Sequence, residues 1–352
     1  MSGNEHKILE NIHKIAVLRA NALGDFIFVL PALQALRQAY PQAEIVYLGL
    51  EWHRDFLKDR PSPVDRVIVI PEGSLVEGLK QRPPMDDFFE KMVAEKFDLA
   101  IQSHGGGRNS NPFLLRLGAR INVGARTPDA PLLDRWIPYI YYQLEYLRFL
   151  EIVSLVGAYP ARLEPKVTVT KADLAESFKV VPEGKKPLVI IHPGATDPTR
   201  RWPVEKFAAV ADTLAKSGYQ IVVTGTRPES KLVEGVIEAM QEEALNLCGK
   251  LSLNGFTGLL SRCALLISND TGPAHLAGAI GTPVVILYWI SNLVNGGPIN
   301  RTKTRPLVSF QTSCPICGQD CITGRCEHDF SLIASISTEE VLEQSFDLLK
   351  PS

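Results

Sequence analysis

The segment LISNDTGPAH, residues 266–275, carries the end of an apolar strand directly into the start of a helix. The apolar run closes at Ile267, a polar turn follows, and Pro273 has the fixed φ that suits the first turn of a helix. Further along, Gly281 and Pro283 predict a turn between this short helix and another strand. Strand, turn and helix in this order predict an α/β fold.

The same turn has the features of an anion-binding site. A helix N-terminus offers unpaired backbone N–H groups and a partial positive charge, and Gly272 lets an anion approach closely. Thr271 and His275 can add hydrogen bonds to a phosphate, and Asp270 can accept from ribose or sugar hydroxyls or fix the turn. Alternatively, Asn269, Asp270 and Thr271 are ordinary capping residues and His275 is a structural histidine. The spacing alone leaves both interpretations open.

Strand and helix alternate outward from this segment in two separate series. KIAVLR (14–19) predicts a strand covered on both faces, and a helical pattern at 26–40 precedes the strand EIVYLGL (44–50). A proline-rich stretch ends the first series, and the second begins at LVIIHPGA (188–195). Further strands are predicted at 64–70, 97–103 and 219–225. We therefore predict two Rossmann-like, doubly wound domains, at 1–165 and 187–330, joined by residues 159–187 and followed by a capped helix in 331–352.

Composition limits the class of protein. The chain has 352 residues, 45% of them hydrophobic and 22% charged, which is typical of a soluble globular protein of two domains. The formal net charge of −2 gives no indication of nucleic-acid binding. The first residues are charged where a secretory signal would be apolar, so a cytoplasmic location is expected. Glycine and proline interrupt the uncharged run 276–300, which we interpret as a buried helix and strand instead of a membrane span.

Asp25 stands at the carboxyl end of the first strand and the start of the first helix, where ligands of open α/β sheets bind. It is either a helix cap or a carboxylate that takes a proton from a hydroxyl group. Asn21 and Gly24 share its loop. We therefore consider these two residues candidates for contact with an acceptor molecule.

His104 begins an HGGG sequence that resembles an oxyanion hole of lipases. The chain has no G-x-S-x-G motif, so the hydrolase hypothesis lacks its nucleophile and the glycines are interpreted as a flexible loop. An excess of arginine follows, which either faces an anionic acceptor or lies on a solvated surface. Its members are Arg108, Arg116, Arg120, Arg126, Arg135 and Arg148, of which Arg108 and Arg120 are the candidates for acceptor binding.

A second group of candidates follows the strands of the second domain. These residues are His192 and Gly194 after one strand and Thr224, Gly225 and Glu229 after the next. The basic loop between them carries Arg200 and Arg201. Since ligands of such sheets gather beyond the carboxyl ends of the strands, we expect this group to face a bound ligand.

Four cysteines lie close together near the end of the chain, at Cys314, Cys317, Cys321 and Cys326. Four thiols this close in sequence suit a small tetrahedral site for structural zinc or iron, and His328 is a further candidate ligand. The gaps after Cys317 do not form a second C-x-x-C pair, so free or redox-labile thiols are the alternative.

Three stretches in series resemble glycosyltransferase family 9, the ADP-heptose:lipopolysaccharide heptosyltransferases. They are residues 18–45, 192–214 and 268–285, in the family's order and at similar separations. The resemblance implies a GT-B architecture, two Rossmann-like domains facing a central cleft, the first binding the acceptor and the second most of the nucleotide sugar. It also implies inversion at the anomeric carbon without a metal ion or other cofactor, and a last helix that returns to the first domain.

The resemblance also assigns roles to single residues. Asp25 matches the general base of the family. The phosphate site matches Thr271, Gly272 and His275. The resemblance further implies that the second domain binds the nucleotide sugar, for which the candidates are these three residues with Asp270 and with His192, Gly194, Thr224, Gly225 and Glu229. Arg200 falls where family members commonly have lysine, and Arg201 is the alternative for this role. The cysteine group is absent from the best-known lipopolysaccharide heptosyltransferases.

Three hypotheses follow. The first is an enzyme at the inner face of the cytoplasmic membrane, in peripheral contact with it, that moves heptose from ADP-heptose to an anionic glycolipid of the lipopolysaccharide core. The second keeps the chemistry but uses another nucleotide sugar, a different surface glycan or a protein acceptor. The third is a nucleotide-sugar-binding protein without turnover, and the presence of Asp25 together with an intact DTGPAH motif argues against it.

Overall fold

The computed structural model describes residues 7–75 and 85–350. Contacts between Cα atoms divide the chain into two compact units, Met1–Lys166 and Val167–Ser352.

The first unit contains a six-stranded sheet in which every neighbouring pair of strands is parallel. Its strands are β1 (Lys14–Leu18), β2 (Glu44–Gly49), β3 (Arg66–Val69), β4 (Leu99–Gln102), β5 (Ile121–Arg126) and β6 (Arg135–Pro138). Its helices within the described residues are α1 (Leu23–Ala39), α2 (Glu51–Leu57), α3 (Asp86–Ala94), α4 (Ser110–Leu115) and α5 (Glu145–Ser154).

The second unit contains another six-stranded parallel sheet. Its strands are β7 (Leu188–His192), β8 (Gln220–Val223), β9 (Ala244–Asn246), β10 (Leu265–Asn269), β11 (Val284–Trp289) and β12 (Thr304–Ser309). Its helices are α6 (Lys171–Val180), α7 (Val204–Lys216), α8 (Ser230–Ala239), α9 (Leu253–Arg262), α10 (Gly272–Ile280), α11 (Ile290–Gly296) and α12 (Thr338–Leu349).

Both sheets have the same strand order, β3-β2-β1-β4-β5-β6 in the first unit and β9-β8-β7-β10-β11-β12 in the second. This is the Rossmann order, in which the direction of winding reverses at the centre of the sheet. The reversal lies between β1 and β4, where Ile15 pairs with Leu99, and between β7 and β10, where Ile191 pairs with Ile267. The predicted doubly wound α/β fold is therefore confirmed in both units.

Burial explains the apolar sequences of the central strands. β11 is buried along its whole length and β1 is buried after Lys14, as expected where helices cover both faces of a parallel sheet. α7 has the complementary pattern, since Phe207, Val210 and Leu214 recur at helical spacing and are all buried in the core of the second unit.

The stretch expected to connect the domains contributes a helix to the second unit. Its helix, α6, packs against α9. A Cβ on Gly258 of α9 would lie 2.1 Å from the carbonyl oxygen of Asp173 in α6, so a larger residue at this position would push the helices apart. The close fit assigns residues 171–180 to the second unit.

α12 begins with the predicted capping box. The Ser337 hydroxyl accepts from the Glu340 N–H at 3.2 Å, and the Glu340 carboxylate accepts from the Ser337 N–H at 3.1 Å. α12 contacts α7, β10, β11 and β12 and buries Val341 in the core of the second unit. A contact of this helix with the first unit stays a prediction.

The uncharged run 276–300 forms most of α10, then β11 and α11, as the interpretation of a buried helix and strand requires. Among residues 7–75 and 85–350, no helix is long and apolar enough to cross a membrane.

Candidate active site

Asp25 lies in the first turn of α1, where two hydrogen bonds hold it. Its Oδ2 accepts from the Ala22 N–H at 3.3 Å, which closes the start of the helix, and its Oδ1 accepts from Arg19 at 2.6 Å. The side chain is 32% exposed. The N-cap of α1 is Ala22 and not Asp25, but Asp25 bonds to the N-cap N–H from the first turn while its carboxylate also reaches solvent, so a capping bond and a role as a base are compatible.

Arg19, which the sequence pattern did not single out, organises this site. Its guanidinium donates to Asp25, to Glu145 at 3.2 Å and to the Ser103 carbonyl at 2.6 Å. It lies over the Phe149 ring, 4.7 Å from the centroid, and its side chain is only 4% exposed. Charged side chains are rarely buried unless they are paired. An arginine at the end of an apolar strand therefore indicates a buried ion pair, and this feature of the sequence could have identified Arg19. Arg19 fixes the orientation of the Asp25 carboxylate.

The loop after β4 carries His104 to the same edge of the sheet. His104 Nδ1 accepts from the Ala20 N–H at 3.3 Å. Burial, assisted by the positive charge of Arg19, lowers the pKa of His104 to about 4, so its ring is neutral at neutral pH. Gly107 has a φ of +91°, and a Cβ there would lie 2.8 Å from the Ala125 carbonyl oxygen. The HGGG loop therefore owes its path to glycine.

Three of the four acceptor-binding candidates lie at the same edge of the sheet as Asp25. Asn21 and Gly24 belong to the turn and the first helical residues before it. Arg108 is in the loop after β4, at the same carboxyl-terminal edge of the sheet. Its side chain is 71% exposed and 3.4 Å from Asp129, and such an exposed ion pair is weak. Arg108 is therefore free to exchange Asp129 for an anionic ligand.

Arg120 lies at the opposite edge of the sheet. It directly precedes β5, and its guanidinium donates to the carbonyls of Glu10 and Asn11, which precede β1. Because the strands are parallel, this is the amino-terminal edge, away from Asp25. The structure does not bring Arg120 to the site, and we leave it out of the proposed acceptor-binding group.

The other arginines of this region have structural contacts. Arg116 lies over the ring of Phe89, Arg126 over Trp136 and Arg148 over Tyr139, and Arg135 donates to the carbonyl of Leu155. Cation–π contacts and carbonyl acceptors of this kind stabilise the fold. Most of the local excess of arginine is thus used in packing.

The turn after β10 leads into α10 at the predicted position. Thr271 is the N-cap, and its side chain makes no capping bond to the helix. His275 Nε2 lies 3.0 Å from Asp270 Oδ1, and the two side chains are only 8% and 9% exposed. Asp270 and His275 therefore fix the turn. Pro273 has no N–H, and the N–H groups of Ala274 and His275 donate to the Thr271 carbonyl at 3.0 and 3.3 Å, so Gly272 supplies the backbone N–H at this helix N-terminus.

Arg200 brings a cation to this turn. Its Nη1 is 3.5 Å from Asp270 Oδ2, and its Nε is 3.6 Å from Asp197 Oδ2, so both contacts are long for an ion pair. Arg201, in contrast, donates from Nε to the Ala195 carbonyl at 2.9 Å. Of the two arginines, Arg200 is the less tightly held, which favours it for binding an anion.

Asn269 holds the two loops together. Its Nδ2 donates to the Pro193 carbonyl at 2.7 Å, and its Oδ1 accepts from the Trp202 N–H at 3.1 Å. The side chain is fully buried. Thr271, not Asn269, is the N-cap of α10, and Asn269 instead bridges the loop that carries Arg200 and the turn that follows β10.

The remaining nucleotide candidates form one cluster beyond β7 and β8. His192 Nδ1 lies 3.1 Å from Thr224 Oγ1, and burial lowers the pKa of His192. A Cβ on Gly194 would lie 2.1 Å from Glu229 Oε1, and a Cβ on Gly225 would lie 3.5 Å from Glu229 Oε2. Gly194 therefore admits the Glu229 carboxylate against the backbone, whereas the contact at Gly225 is an ordinary one. Since β10 is the other neighbour of β7, this cluster borders the turn before α10.

The cysteine segment, residues 314–328, brings together a set of metal ligands that differs from the four cysteines expected from the sequence. The Sγ atoms of Cys314, Cys317 and Cys326 and a ring nitrogen of His328 all lie within 4.8 Å of one another. Cys321 lies outside this group and packs in the core of the second unit. His328, the further candidate ligand, takes the place of Cys321.

This group has the chemistry and dimensions of a metal site. Cys314 Sγ is 3.7 Å from His328 Nδ1, close to the roughly 3.6 Å between a sulfur and a nitrogen ligand on tetrahedral zinc. The Ile316 N–H donates to Cys314 Sγ at 3.4 Å, and Gly318 turns the chain with a φ of +74°. Burial opposes ionisation of Cys314, but N–H groups of Cys317 and Ile316 lower its pKa to about 6. The group can therefore hold a metal ion.

Known proteins share this sequence pattern. The model of glycosyltransferase family 9 (heptosyltransferase) matches residues 85–321, more than half of the chain. Lipooligosaccharide heptosyltransferase 2 of Haemophilus ducreyi is 25% identical over 314 residues, which cover 84% of this chain and 86% of the relative.

Two solved structures show the same fold. The family 9 glycosyltransferase from Veillonella parvula DSM 2008 has a TM-score of 0.82 at 23% identity, covering 97% of this chain and 99% of the other. The iron-containing heptosyltransferase TibC from enterotoxigenic E. coli, in complex with ADP-D-β-D-heptose, has a TM-score of 0.57 at 13% identity, covering 97% and 77%. Because the family model spans most of the chain and the two Rossmann-like units agree with it, the chain belongs to glycosyltransferase family 9 and is a glycosyltransferase of the GT-B fold.

Proposed function

We propose that this chain moves heptose from ADP-heptose to an anionic glycolipid of the lipopolysaccharide core, with inversion at the anomeric carbon. The observation that carries the proposal is the loosely held Arg200 beside the N-terminus of α10, since a departing diphosphate needs preorganised positive charge. The choice of sugar follows the relatives, because the TibC structure contains ADP-D-β-D-heptose and the Haemophilus protein is named a lipooligosaccharide heptosyltransferase.

Asp25 acts as the general base in this proposal. Its Oδ1 is bonded to Arg19, so Oδ2, whose bond from the Ala22 N–H is long at 3.3 Å, is the oxygen that accepts the proton. As the acceptor hydroxyl oxygen bonds to the anomeric carbon, its proton passes to Asp25 and the bond to the diphosphate oxygen breaks. Asn21, Gly24 and Arg108 contact the acceptor, and the exposed Arg108 guanidinium suits a phosphate or carboxylate on it.

The donor is bound by the two groups of the second unit. The Gly272 N–H at the start of α10 and the side chains of Thr271 and His275 bind the diphosphate, and Arg200 neutralises its growing charge. The cluster beyond β7 and β8 binds the nucleoside and sugar hydroxyls through the polar groups of His192, Thr224 and Glu229. Because arginine and the helix N-terminus supply the positive charge, catalysis needs no metal ion.

Titration calorimetry with ADP, UDP, GDP and ADP-heptose tests the donor. ADP and ADP-heptose are expected to bind about tenfold or more tightly than UDP and GDP, which corresponds to about 1.4 kcal/mol. Transfer is then measured with a core lipopolysaccharide that lacks heptose, and the anomeric configuration of the product reports inversion. Tighter binding of another nucleotide would contradict the proposed donor, and transfer to a protein would contradict the proposed acceptor. Binding without turnover would mean a nucleotide-sugar-binding protein.

The acceptor sets the location of the enzyme. A lipid-linked core acceptor is met at the inner face of the cytoplasmic membrane, so we propose a cytoplasmic enzyme in peripheral contact with that surface. Sedimentation with vesicles that contain the acceptor lipid, compared with vesicles without it, tests this contact.

We further propose that Cys314, Cys317, Cys326 and His328 hold one structural zinc or iron ion. Three thiolates and one imidazole suit either metal, and TibC is described as iron-containing. With four protein ligands, such a set leaves no position for substrate, so the ion would stabilise the segment instead of taking part in transfer.

Elemental analysis of the purified protein is expected to find about one equivalent of zinc or iron. Cys326→Ser should lose most of this metal, because it removes one of the four ligands. Cys248→Ser and Cys321→Ala are the controls and should retain it, since both cysteines lie outside the ligand set. Loss of metal in Cys321→Ala would restore the four-cysteine hypothesis, and metal-free protein prepared under reducing conditions would favour free thiols.

A further inference from the structure

The cysteine segment makes an ion pair with the loop that carries Arg200. Arg325, the residue before Cys326, donates from its guanidinium to Asp197 Oδ2. Asp197 is the N-cap of the short helical turn Pro198–Arg200. Arg325 therefore bonds directly to the turn that carries Arg200, the arginine proposed to bind the diphosphate.

Asp197 is shared between two arginines. Its side chain is 8% exposed, and its Oδ1 accepts from the Thr199 N–H at 3.1 Å and from the Thr199 hydroxyl at 2.8 Å. Its Oδ2 bonds to Arg325 and is also 3.6 Å from Arg200 Nε. Burial alone would raise the pKa of Asp197, but the bonds from Thr199 and Arg325 outweigh it and hold the pKa below its ordinary value. The carboxylate is therefore ionised and satisfied without a close bond to Arg200.

The backbone of Arg325 is fixed although its side chain is 67% exposed. Gln319 Nε2 donates to the Arg325 carbonyl at 3.2 Å, and the Gln319 carbonyl accepts from the Cys314 N–H at 2.9 Å. On the other side of the contact, the Leu332 N–H donates to the Thr199 carbonyl at 2.7 Å. The segment is thus anchored on both sides of the ion pair.

We propose that Arg325 is a positioning residue that occupies Asp197 and so leaves the Arg200 guanidinium available to the donor diphosphate. The guanidinium groups of Arg325 and Arg200 compete for Asp197 Oδ2. The close bond from Arg325 neutralises the charge of this oxygen, so the attraction between Asp197 and Arg200 is weaker. Without Arg325, Asp197 draws Arg200 into a close ion pair, and a bound diphosphate then has to break it. The inference rests on the proposed role of Arg200 in donor binding.

Calorimetric measurement of ADP affinity on the full chain tests this competition. Arg325→Gln is expected to weaken ADP binding about threefold to fivefold, the range of an exposed ion pair. Asp197→Asn is expected to bind ADP at least as tightly as the wild type, because an amide keeps the bond from Thr199 but does not capture Arg200. In the Asp197→Asn background, Arg325→Gln should have no further effect. Arg325→Lys should restore most of the affinity, and the exposed Arg301→Gln is the control.

The outcomes separate competition from simple bracing of the loop. If the ion pair only braces the loop, Asp197→Asn and Arg325→Gln weaken ADP binding alike, and the inference is wrong. It is also wrong if Arg325→Gln binds ADP like the Arg301→Gln control. A wild-type chain that does not bind ADP would instead contradict the proposed function itself. Wild-type binding that Arg200→Ala weakens but Arg325→Gln does not would contradict this inference alone.

Discussion

Replacement of Asp25 by asparagine is expected to lower kcat by about 10²- to 10⁴-fold, the usual cost of losing a general base. Asparagine has the same shape, and its amide oxygen can still accept from the Ala22 N–H that closes the start of α1. ADP affinity should therefore change less than about twofold, because the amide removes basicity without removing a donor contact. Steady-state transfer rates and calorimetry on the same preparation measure the two effects.

Glu145 supplies the matched control for this prediction. It also accepts from Arg19 and forms an ion pair with Arg148, but its side chain is 13% exposed against 32% for Asp25. Glu145→Gln should therefore retain most of the transfer activity. Loss of transfer in Glu145→Gln with an active Asp25→Asn would make Glu145 the base. A few-fold change in Asp25→Asn with a loss of about 1 kcal/mol in stability would mean that Asp25 is only a cap.

Replacement of Arg200 by alanine is expected to lower kcat by about 10²- to 10³-fold, as removal of one charge-stabilising donor does in other enzymes. ADP affinity should fall less, by about tenfold, because negative charge on the leaving oxygen grows toward the transition state. The long contacts of Arg200 with Asp197 and Asp270 allow it to follow this charge. Single-turnover rates and ADP titration separate the two quantities.

Arg201→Ala is the control for Arg200→Ala. Arg201 is committed to the Ala195 carbonyl, so its removal should cost stability of the loop more than catalytic rate. A larger loss of kcat in Arg201→Ala would assign the diphosphate to Arg201. If both changes have equally small effects on kcat, the loop after β7 does not stabilise the departing diphosphate in the transition state.

The local pattern of the sequence was sufficient for the central elements of both sheets. Continuous apolar strands such as β1 and β11, helical spacing in α7 and the Ser337 cap all depend on residues close together in the chain. β5, β6, β9 and β12 were not predicted. β6, β9 and β12 are edge strands with many half-buried residues, and β12 includes Pro306, so the apolar pattern is weak there.

Local sequence also indicated Asp25, Arg200 and the 270–275 turn, because strand, loop and helix start follow one another directly there. The partners of these residues could be seen only in the folded chain. Arg19 reaches Glu145 across 126 positions, and Asn269 reaches Pro193 across 76. The tertiary structure likewise decided that His328 joins the cysteine group instead of Cys321 and that Arg120 lies at the far edge of its sheet. Periodicity reports burial within one element, whereas strand order sets which loops meet, and that order depends on pairing between distant strands.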